Sequence, residues 1–287
     1  MSAAAVVACD EPSDAVNNSA RNIAKVASEG IHMTSSSSTC SARDRVASFA
    51  FAEEEVRRLD RAGATALDVE MYRAYQRRNC FGLDRAMKIY RIFQETHYHD
   101  DLKNGCLTLP RADANVWGSQ LENPLASVKQ IDQVTGQAVH LGSAVQSFFA
   151  LCWTSREYPT QDDWDAFSHG KATVRIETTV GKLLDRAMCH RDPSYMHRSW
   201  VIDADYRPGG TIRAMQTPEE VMRRLETTGS MLALSAATIQ TSFSDEDEVR
   251  FLFDDGIPPQ ISTILSRDLI QLPFDWSGFA DSVDRHK

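Results

Sequence analysis

The spacing of hydrophobic residues changes along the chain and divides it into three parts. Residues 1–43 contain few large apolar side chains and include an unbroken serine run from Ser35 to Ser38. A segment of this composition buries too little apolar surface to offset the entropy that it loses on ordering. We therefore predict a disordered Ser/Ala-rich head over residues 1–43.

A helical spacing follows the head. Val46, Phe49 and Val56 would share one face of a helix, and a second set of apolar residues follows the break at Gly63. Apolar residues three and four positions apart are typical of amphipathic helices. We predict a helical segment over residues 44–79, folded as a hairpin that packs on the domain or offers a surface to a partner.

The third part, residues 80–287, mixes the two patterns. Alternating apolar residues and short continuous apolar runs predict strands at 88–93, 148–153, 172–177, 200–206 and 249–253. Helical spacing covers 180–188, and Thr217 followed by Pro218 is a helix start signal. This interleaving predicts an α+β domain with a mixed twisted sheet flanked by helices.

Composition narrows the classes of function. Acidic residues outnumber Lys and Arg by 40 to 31, which gives a formal net charge of −9 and disfavours a protein that holds nucleic-acid phosphates. No apolar run approaches the roughly 20 residues that cross a bilayer, so no membrane partner is predicted. The six cysteines show no C-x-x-C pair, and the N-terminus lacks a basic signal region. We predict a cytoplasmic protein; a leader for needle-type secretion into a host cell is the alternative for the Ser-rich head.

A set of short motifs occurs in a fixed order in the third part. They are Ile89-Tyr90-Arg91, residues 102–107, Asn123-Pro124, residues 152–155, Trp164 with Gly170 and Val174-Arg175-Ile176, residues 243–250, and the tail over 264–283. This ordered set resembles the bacterial domain-of-unknown-function family 2971 over roughly residues 85–283. The match departs at Phe167, where that family often has a tyrosine. The resemblance bears on the fold more than on the function.

Three of these elements also carry a possible chemistry. Arg91, Thr154-Ser155 and Glu246-x-Glu248 are similar in order and type to the Arg, Ser/Thr, Glu-x-Glu signature of ADP-ribosyltransferases. This resemblance implies that Arg91 binds the phosphates or a ribose of NAD and that Thr154 or Ser155 supports the site. It also implies that Glu248 is the ribose-binding catalytic carboxylate and that Glu246 activates the acceptor nucleophile.

The chemistry of NAD cleavage accounts for these residue types. Breaking the nicotinamide–ribose bond develops oxocarbenium character on the ribose, which a fixed carboxylate stabilises. A diphosphate favours the planar, bidentate guanidinium of an arginine. Glu246 and Glu248 would point to one face of a strand, so both could reach one cleft. We expect Arg91 and Thr154 or Ser155 to converge with Glu248 on that cleft from the same face of the sheet.

Structural roles and metal sites are the alternatives for these residues. Arg91 could pair with Glu246 or Glu248 inside the sheet, and Glu248 with Arg250 would form a same-face pair on one strand. The run from His97 to Asp101 lacks a third metal ligand at a recognisable spacing, so we interpret it as a polar turn. A two-metal nuclease site would combine Asp162, Asp163 and Asp165 with Glu246 and Glu248, but their order matches no nuclease motif. No metal is predicted.

The function predicted from the sequence is that of an NAD-dependent ADP-ribosyltransferase or NAD glycohydrolase. Such an enzyme would act as a bacterial toxin, effector or phage-defence protein, with NAD as its substrate and a protein acceptor left open. The alternative is a non-catalytic interaction module whose helices over residues 44–76 bind a partner.

Overall fold

A computed structural model describes residues 5–7, 42–112, 129–131, 138–140, 148–188, 194–206, 233, 237, 246–255 and 268–286. Its helices are α1 (Ala42–Arg61), α2 (Val69–Asn79), α3 (Glu95–Asn104), α4 (Gln161–Ser168), α5 (Val180–Ala187) and α6 (Ser194–Arg198). Its strands are β1 (Ala5–Val7), β2 (Lys88–Gln94), β3 (Cys106–Pro110), β4 (Lys129–Ile131), β5 (Ala138–His140), β6 (Phe148–Thr154), β7 (Thr173–Thr179), β8 (Ser199–Asp203), β9 (Glu248–Asp254), β10 (Leu269–Pro273) and β11 (Ser282–His286).

The main sheet has six strands in the order β11-β7-β2-β6-β9-β8, beside a two-stranded β10-β3 ribbon and a small β1-β4-β5 sheet. The α+β class is confirmed. Every strand pair in the described residues is antiparallel, whereas the sequence predicted a mixed sheet. The difference arises because a parallel pair needs a crossover connection, and the intervening helices do not join neighbouring strands in that way.

Most predicted elements in the described residues are present. The strands predicted at 88–93, 148–153, 172–177 and 249–253 are β2, β6, β7 and β9, and the helix predicted at 180–188 is α5. The strand predicted at 200–206 is shorter and is β8. The helix start at Thr217 and the Asn123-Pro124 motif lie outside the described residues, as does the predicted head apart from β1 and the first residues of α1.

The polar turn predicted at residues 97–101 is wrong, because this stretch is the middle of α3. Tyr98 and Asp101, which are three positions apart on α3, are buried, whereas most other side chains of the helix are not. The helix ends at Gly105, which adopts a left-handed conformation with φ of 60°. The apolar signal was too weak to indicate a helix, since a single large hydrophobic residue anchors it.

The predicted helical hairpin is present and packs on the sheet. Helices α1 and α2 are separated by a break at Gly63, whose φ of 84° suits glycine. Apolar residues of both helices belong to the same buried cluster as the strands. The buried Asn79 fixes the end of α2, because its Nδ2 donates to the carbonyls of Met196 at 2.6 Å and Ser199 at 2.8 Å. The helical segment and the sheet therefore share one hydrophobic core.

Strand β6 changes partner along one edge, and this change opens the sheet. At one end Thr154 pairs with Tyr90, which is the only register pair between β6 and β2 in the described residues. At the other end Phe149 forms a bridge to Arg111, just beyond β3. Between these two points β6 has neither neighbour in register, although β2 pairs with β7 and β6 pairs with β9 along their full lengths. The opening between β2 and β6 positions the candidate site.

Candidate functional site

A cavity of about 160 Å³ lies beside this opening, and we name it the α4 cavity because α4 contributes to its wall. Strands β2, β6 and β7 supply residues to it, together with the two glutamates at the start of β9. Four of the residues predicted from the sequence line it, namely Arg91, Thr154, Glu246 and Glu248. Ser155 is not among its lining residues in the described part of the chain.

The strand register corrects one expectation about these residues. Tyr90 pairs with Thr154, and Thr154 pairs with Glu248, so these three side chains lie on the same face of the sheet. Arg91 is the next residue after Tyr90 and pairs with Ile176, so its side chain starts from the opposite face. The expectation that Arg91 and Glu248 project from one face is wrong, and this placement counts against the ADP-ribosyltransferase arrangement predicted from the sequence. Arg91 reaches the α4 cavity only because β2 and β6 are apart there.

The guanidinium of Arg91 lies in the opening between the strands. Its Nη1 donates to the backbone carbonyl of Cys152, a group that faces the side of β6 without a strand partner. Its Cζ lies 5.0 Å from the ring centre of Phe93. Arg91 forms no ion pair within the described residues, and its Nε is shielded from solvent without a hydrogen-bond partner there. Burial lowers the pKa of Arg91, yet a guanidinium remains charged at neutral pH.

Glu248 forms an ion pair with an arginine on its own strand. The Nε of Arg250 lies 2.8 Å from Oε1 of Glu248 and its Nη2 lies 3.3 Å from Oε2, and both side chains are buried. The same-face pair considered from the sequence is therefore formed, while Arg91 pairs with neither Glu246 nor Glu248. The backbone N–H of Glu248 donates to Oη of Tyr206 at 2.8 Å. These contacts hold the Glu248 carboxylate in one position.

Cys152 lies next to this ion pair and lines the same cavity. It is opposite Arg250 in the β6–β9 register. Burial, and then the adjacent Glu248 carboxylate, raise the pKa of the Cys152 thiol well above its ordinary value. A thiol that stays protonated is a poor nucleophile, so Cys152 is part of the wall rather than a reacting group.

Thr154 and Ser155 support the turn that carries the two glutamates. Thr154 Oγ1 donates to the carbonyl of Glu246 at 2.6 Å and accepts from the backbone N–H of Arg156 at 3.0 Å. The backbone N–H of Ser155 donates to the carbonyl of Asp247 at 2.9 Å. Asp247 has a φ of 46°, so the chain turns sharply between Glu246 and β9. Glu246 is exposed at the rim of the cavity, and Glu248 is buried in its wall.

Two arginines in the wall were not selected from the sequence. Arg175, on β7, stacks over Tyr90 with its Cζ 4.1 Å from the ring centre, and it donates to the backbone carbonyls of Arg156 and Glu157. Arg156 forms an ion pair with Asp163 on α4. A signal for Arg175 was available, because this charged residue lies between the apolar residues Val174 and Ile176 of β7. Nothing in the sequence marked Arg156.

Helix α4 covers the cavity without burying any of its own side chains. Asp163, Ala166 and Phe167 face the cavity. A capping box fixes the first turn, in which the side chains of Thr160 and Asp163 each bind the backbone N–H of the other. Burial acts to raise the pKa of Asp163, but the hydrogen bonds from Thr160 and the pairing with Arg156 outweigh it and lower that pKa.

The described residues contain no group of three or more His, Cys, Asp or Glu side chains suited to a metal ion. Asp163, Glu246 and Glu248 line one cavity, but Arg156 and Arg250 already bind two of these carboxylates. In the other candidate cluster, Asp101 accepts hydrogen bonds from the backbone and hydroxyl of Thr108. Neither set of residues offers several open ligands at one point.

Comparison with known proteins adds no assignment. No family model matches the chain, and neither a curated protein nor a solved structure matches it. The resemblances to family 2971 and to ADP-ribosyltransferases thus rest on the residues quoted above. None of the helices in the described residues is long and apolar enough to cross a membrane.

Proposed function

We propose that the chain binds NAD at the opening between β2 and β6 and cleaves its nicotinamide–ribose bond, passing ADP-ribose to water or to a protein acceptor. The single observation that carries the proposal is Arg91. It is a half-buried cation without an ion pair in the described residues, its Nε is shielded from solvent, and it shares a cavity with two glutamates. The sequence resemblance to ADP-ribosyltransferases supplies the choice of NAD over other anions.

The unpaired charge of Arg91 favours an anionic ligand. A half-buried guanidinium without an acidic partner keeps an uncompensated charge, and arginine does not escape this by losing its proton. A phosphate oxygen would accept from the N–H groups that Cys152 leaves unused, in the bidentate geometry that a guanidinium prefers. In this proposal Arg91 therefore binds the diphosphate of NAD.

The two glutamates have unequal environments, which assigns them separate tasks. Glu248 is held in place by its ion pair with Arg250, so it is suited to orient the ribose and to stabilise positive charge on that ring. Because Glu248 is paired with Arg250, the negative potential that its carboxylate presents to the ribose is weaker than that of an unpaired carboxylate. Glu246 lies at the rim, where an acceptor would approach, and it would take the proton from the attacking hydroxyl.

The volume of the α4 cavity limits how much of NAD it encloses. Sites for drug-sized ligands span roughly 300–1,000 Å³, whereas this cavity measures about 160 Å³. We expect it to hold one ring of NAD, with the remainder of the ligand along the rim. Phe167, which is 43% exposed, is a wall residue with an aromatic face available to such a ring.

The test is nicotinamide release by the purified full chain, measured by chromatography over several hours. Wild type should turn NAD over, and Arg91→Met and Glu246→Gln should each lower the rate by about 10²–10³-fold. Arg73→Met and Glu70→Gln are the matched controls, since both residues are exposed on α2 and do not line the α4 cavity. NAD should also raise the melting temperature of wild type. A wild-type chain that neither releases nicotinamide nor is stabilised by NAD would refute the proposal.

The non-catalytic interaction module remains the second candidate, and the Glu248–Arg250 ion pair favours it. A carboxylate satisfied inside the sheet needs no substrate to explain it. The helical hairpin also exposes Phe51 at 77%, Leu67 at 74% and Val69 at 63% of their surfaces. If wild type does not turn NAD over and Glu248→Gln is less stable than wild type, the results would favour the interaction module. Either function is compatible with action in the cytoplasm or, after needle-type secretion, in a host cell as a toxin or effector.

A further inference from the structure

A second and larger cavity lies on the other side of the opening. It measures about 390 Å³ and has residues of α3, β2, β3, β6 and β10 in its wall, and we name it the α3 cavity. Arg91 lines this cavity as well. The register places its side chain on the same face of the sheet as Phe93 and Leu151, which form part of the apolar wall. The α3 cavity is therefore on Arg91's own side of the sheet.

We propose that the α3 cavity is a binding site for an organic anion with an apolar body, such as an aromatic phosphate ester, whose anionic group binds Arg91. This inference goes beyond the proposed function, because it holds whether or not the chain cleaves NAD. It shares Arg91 with the proposed NAD site and assigns a ligand class to the α3 cavity, whose other wall residues the NAD site does not use.

The charge distribution in the α3 cavity fits such a ligand. Among the described residues Arg91 binds only the Cys152 carbonyl and the face of Phe93. Asp101, the buried acid in the wall, is already bound by the backbone and hydroxyl of Thr108 at 3.0 and 2.6 Å. Asp100, a second acid in the wall, is exposed to solvent and forms no ion pair with Arg91. The charge of Arg91 therefore stays without an acidic partner there, and an entering anion would supply one.

A second shielded donor lies beside the same aromatic ring. The side chain of Trp153 is 2% exposed, and its Nε1 has no hydrogen-bond partner in the described residues. Its ring centre lies 6.1 Å from that of Phe93, whose face carries Arg91. Buried N–H groups are nearly always paired in native proteins. Trp153 is not among the residues that line the α3 cavity, so Arg91 Nε is the orphaned donor that a ligand there would reach.

The remaining wall fits the apolar body of the ligand. Phe93, Pro110, Leu151 and Leu269 supply apolar surface to the cavity. Leu269 is 60% exposed, so it lies at the entrance, where an aromatic ring would cover it. A small inorganic anion would gain nothing from these side chains, whereas a phosphate ester with an aromatic ring would gain from both halves of the cavity.

Phenyl phosphate is the probe, titrated calorimetrically into the full-length chain, with inorganic phosphate as the comparison. We expect phenyl phosphate to bind more tightly than inorganic phosphate. Leu269→Trp, which fills the entrance, and Arg91→Met, which removes the charge, should each weaken binding by about tenfold or more, the usual loss for a charge-assisted hydrogen bond. Leu67→Trp makes the same substitution at an exposed leucine away from both cavities and should change nothing.

Ala166→Trp separates this site from the NAD site, since Ala166 lines the α4 cavity alone. Phenyl phosphate should still bind to this variant, while nicotinamide release, if wild type shows it, should fall. Binding that survives Leu269→Trp but is lost in Ala166→Trp would overturn the proposal, and so would equal affinities for phenyl phosphate and inorganic phosphate. Phenyl phosphate binding without any NAD turnover would support the α3 site and refute only the proposed function.

Discussion

Strand β6 has an arginine beside each of its two edges, Arg250 on β9 and Arg91 on β2, and the two arginines have different partners. Along one edge, β6 pairs with β9 at every position, and Arg250 is bound by Glu248 within that ladder. Along the other edge, β6 pairs with β2 at one position, and Arg91 binds only a backbone carbonyl and a ring face in the described residues. Arg250 is buried and Arg91 is half-buried, yet only Arg250 has its counter-charge within the sheet.

The difference shows how strand pairing decides what a charged residue does. A complete ladder places Glu248 and Arg250 side by side, so their charges cancel and the pair serves the fold. Where the ladder stops, backbone and side-chain groups are left without strand partners and must bind something else. Four substitutions test this contrast, and they follow from the largest expected effect to the smallest.

Glu248→Gln should cause the largest loss of stability. It removes the charge of Glu248 from its buried ion pair with Arg250, which costs about 3 kcal/mol of unfolding free energy. Urea denaturation followed by fluorescence measures the change. The double variant Glu248→Leu with Arg250→Met replaces the pair by apolar side chains and should recover most of the loss. An unaltered midpoint for Glu248→Gln would show that the ion pair does not serve the fold.

Thr154→Val tests the residue at which the two ladders meet, since Thr154 pairs with both Tyr90 and Glu248. The substitution keeps the shape and removes the hydrogen bonds to Glu246 and Arg156, so about 1–2 kcal/mol should be lost. Ser155→Ala is the comparison, because its hydroxyl makes only one long contact of 3.4 Å and should cost less. Equal losses for the two variants would contradict the central position of Thr154.

Arg91→Met should change stability little, in contrast to Glu248→Gln. Removing a half-buried charge that has no ion pair should leave the unfolding free energy unchanged or raise it by up to about 1 kcal/mol. The exposed Arg73→Met is the control and should stay within about 0.5 kcal/mol of wild type. A loss of several kcal/mol for Arg91→Met would mean that Arg91 is structural, and both proposed ligand sites would lose their main support.

The smallest expected effect is a change in the acid sensitivity of stability, caused by Asp163 on helix α4. The pKa of Asp163 is lower in the folded chain than its ordinary value of 3.8, so folding favours the ionised form. The stabilisation is complete above pH 3.8 and is lost as the pH falls through the lower folded pKa. Melting curves between pH 6 and 3 should therefore fall less steeply for Asp163→Asn than for wild type. Asp165→Asn, on the exposed side of the same helix, should follow wild type.

Some features of the site were within reach of sequence reasoning, and others were not. The pairing of Glu248 with Arg250 could be anticipated because residues two apart on a strand share a face. Arg91 could be identified as a charged residue on a buried strand, but the face that it occupies in the sheet could not. That face depends on the register of β2 against β7 and β6, and register is a relation between segments far apart in the chain.

The sequence by itself determined most strands of the main sheet, the α1–α2 hairpin, helix α5 and the α+β class. Alternating and continuous apolar runs specify β2, β6, β7 and β9, since burial of one or both faces requires those patterns. Only the tertiary structure decided that β6 leaves β2 after Tyr90 and Thr154, and that Arg91 consequently lies between two cavities. The physical reason is that hydrophobic periodicity is a local property, whereas strand order and the point at which a ladder ends depend on how all elements pack around one core.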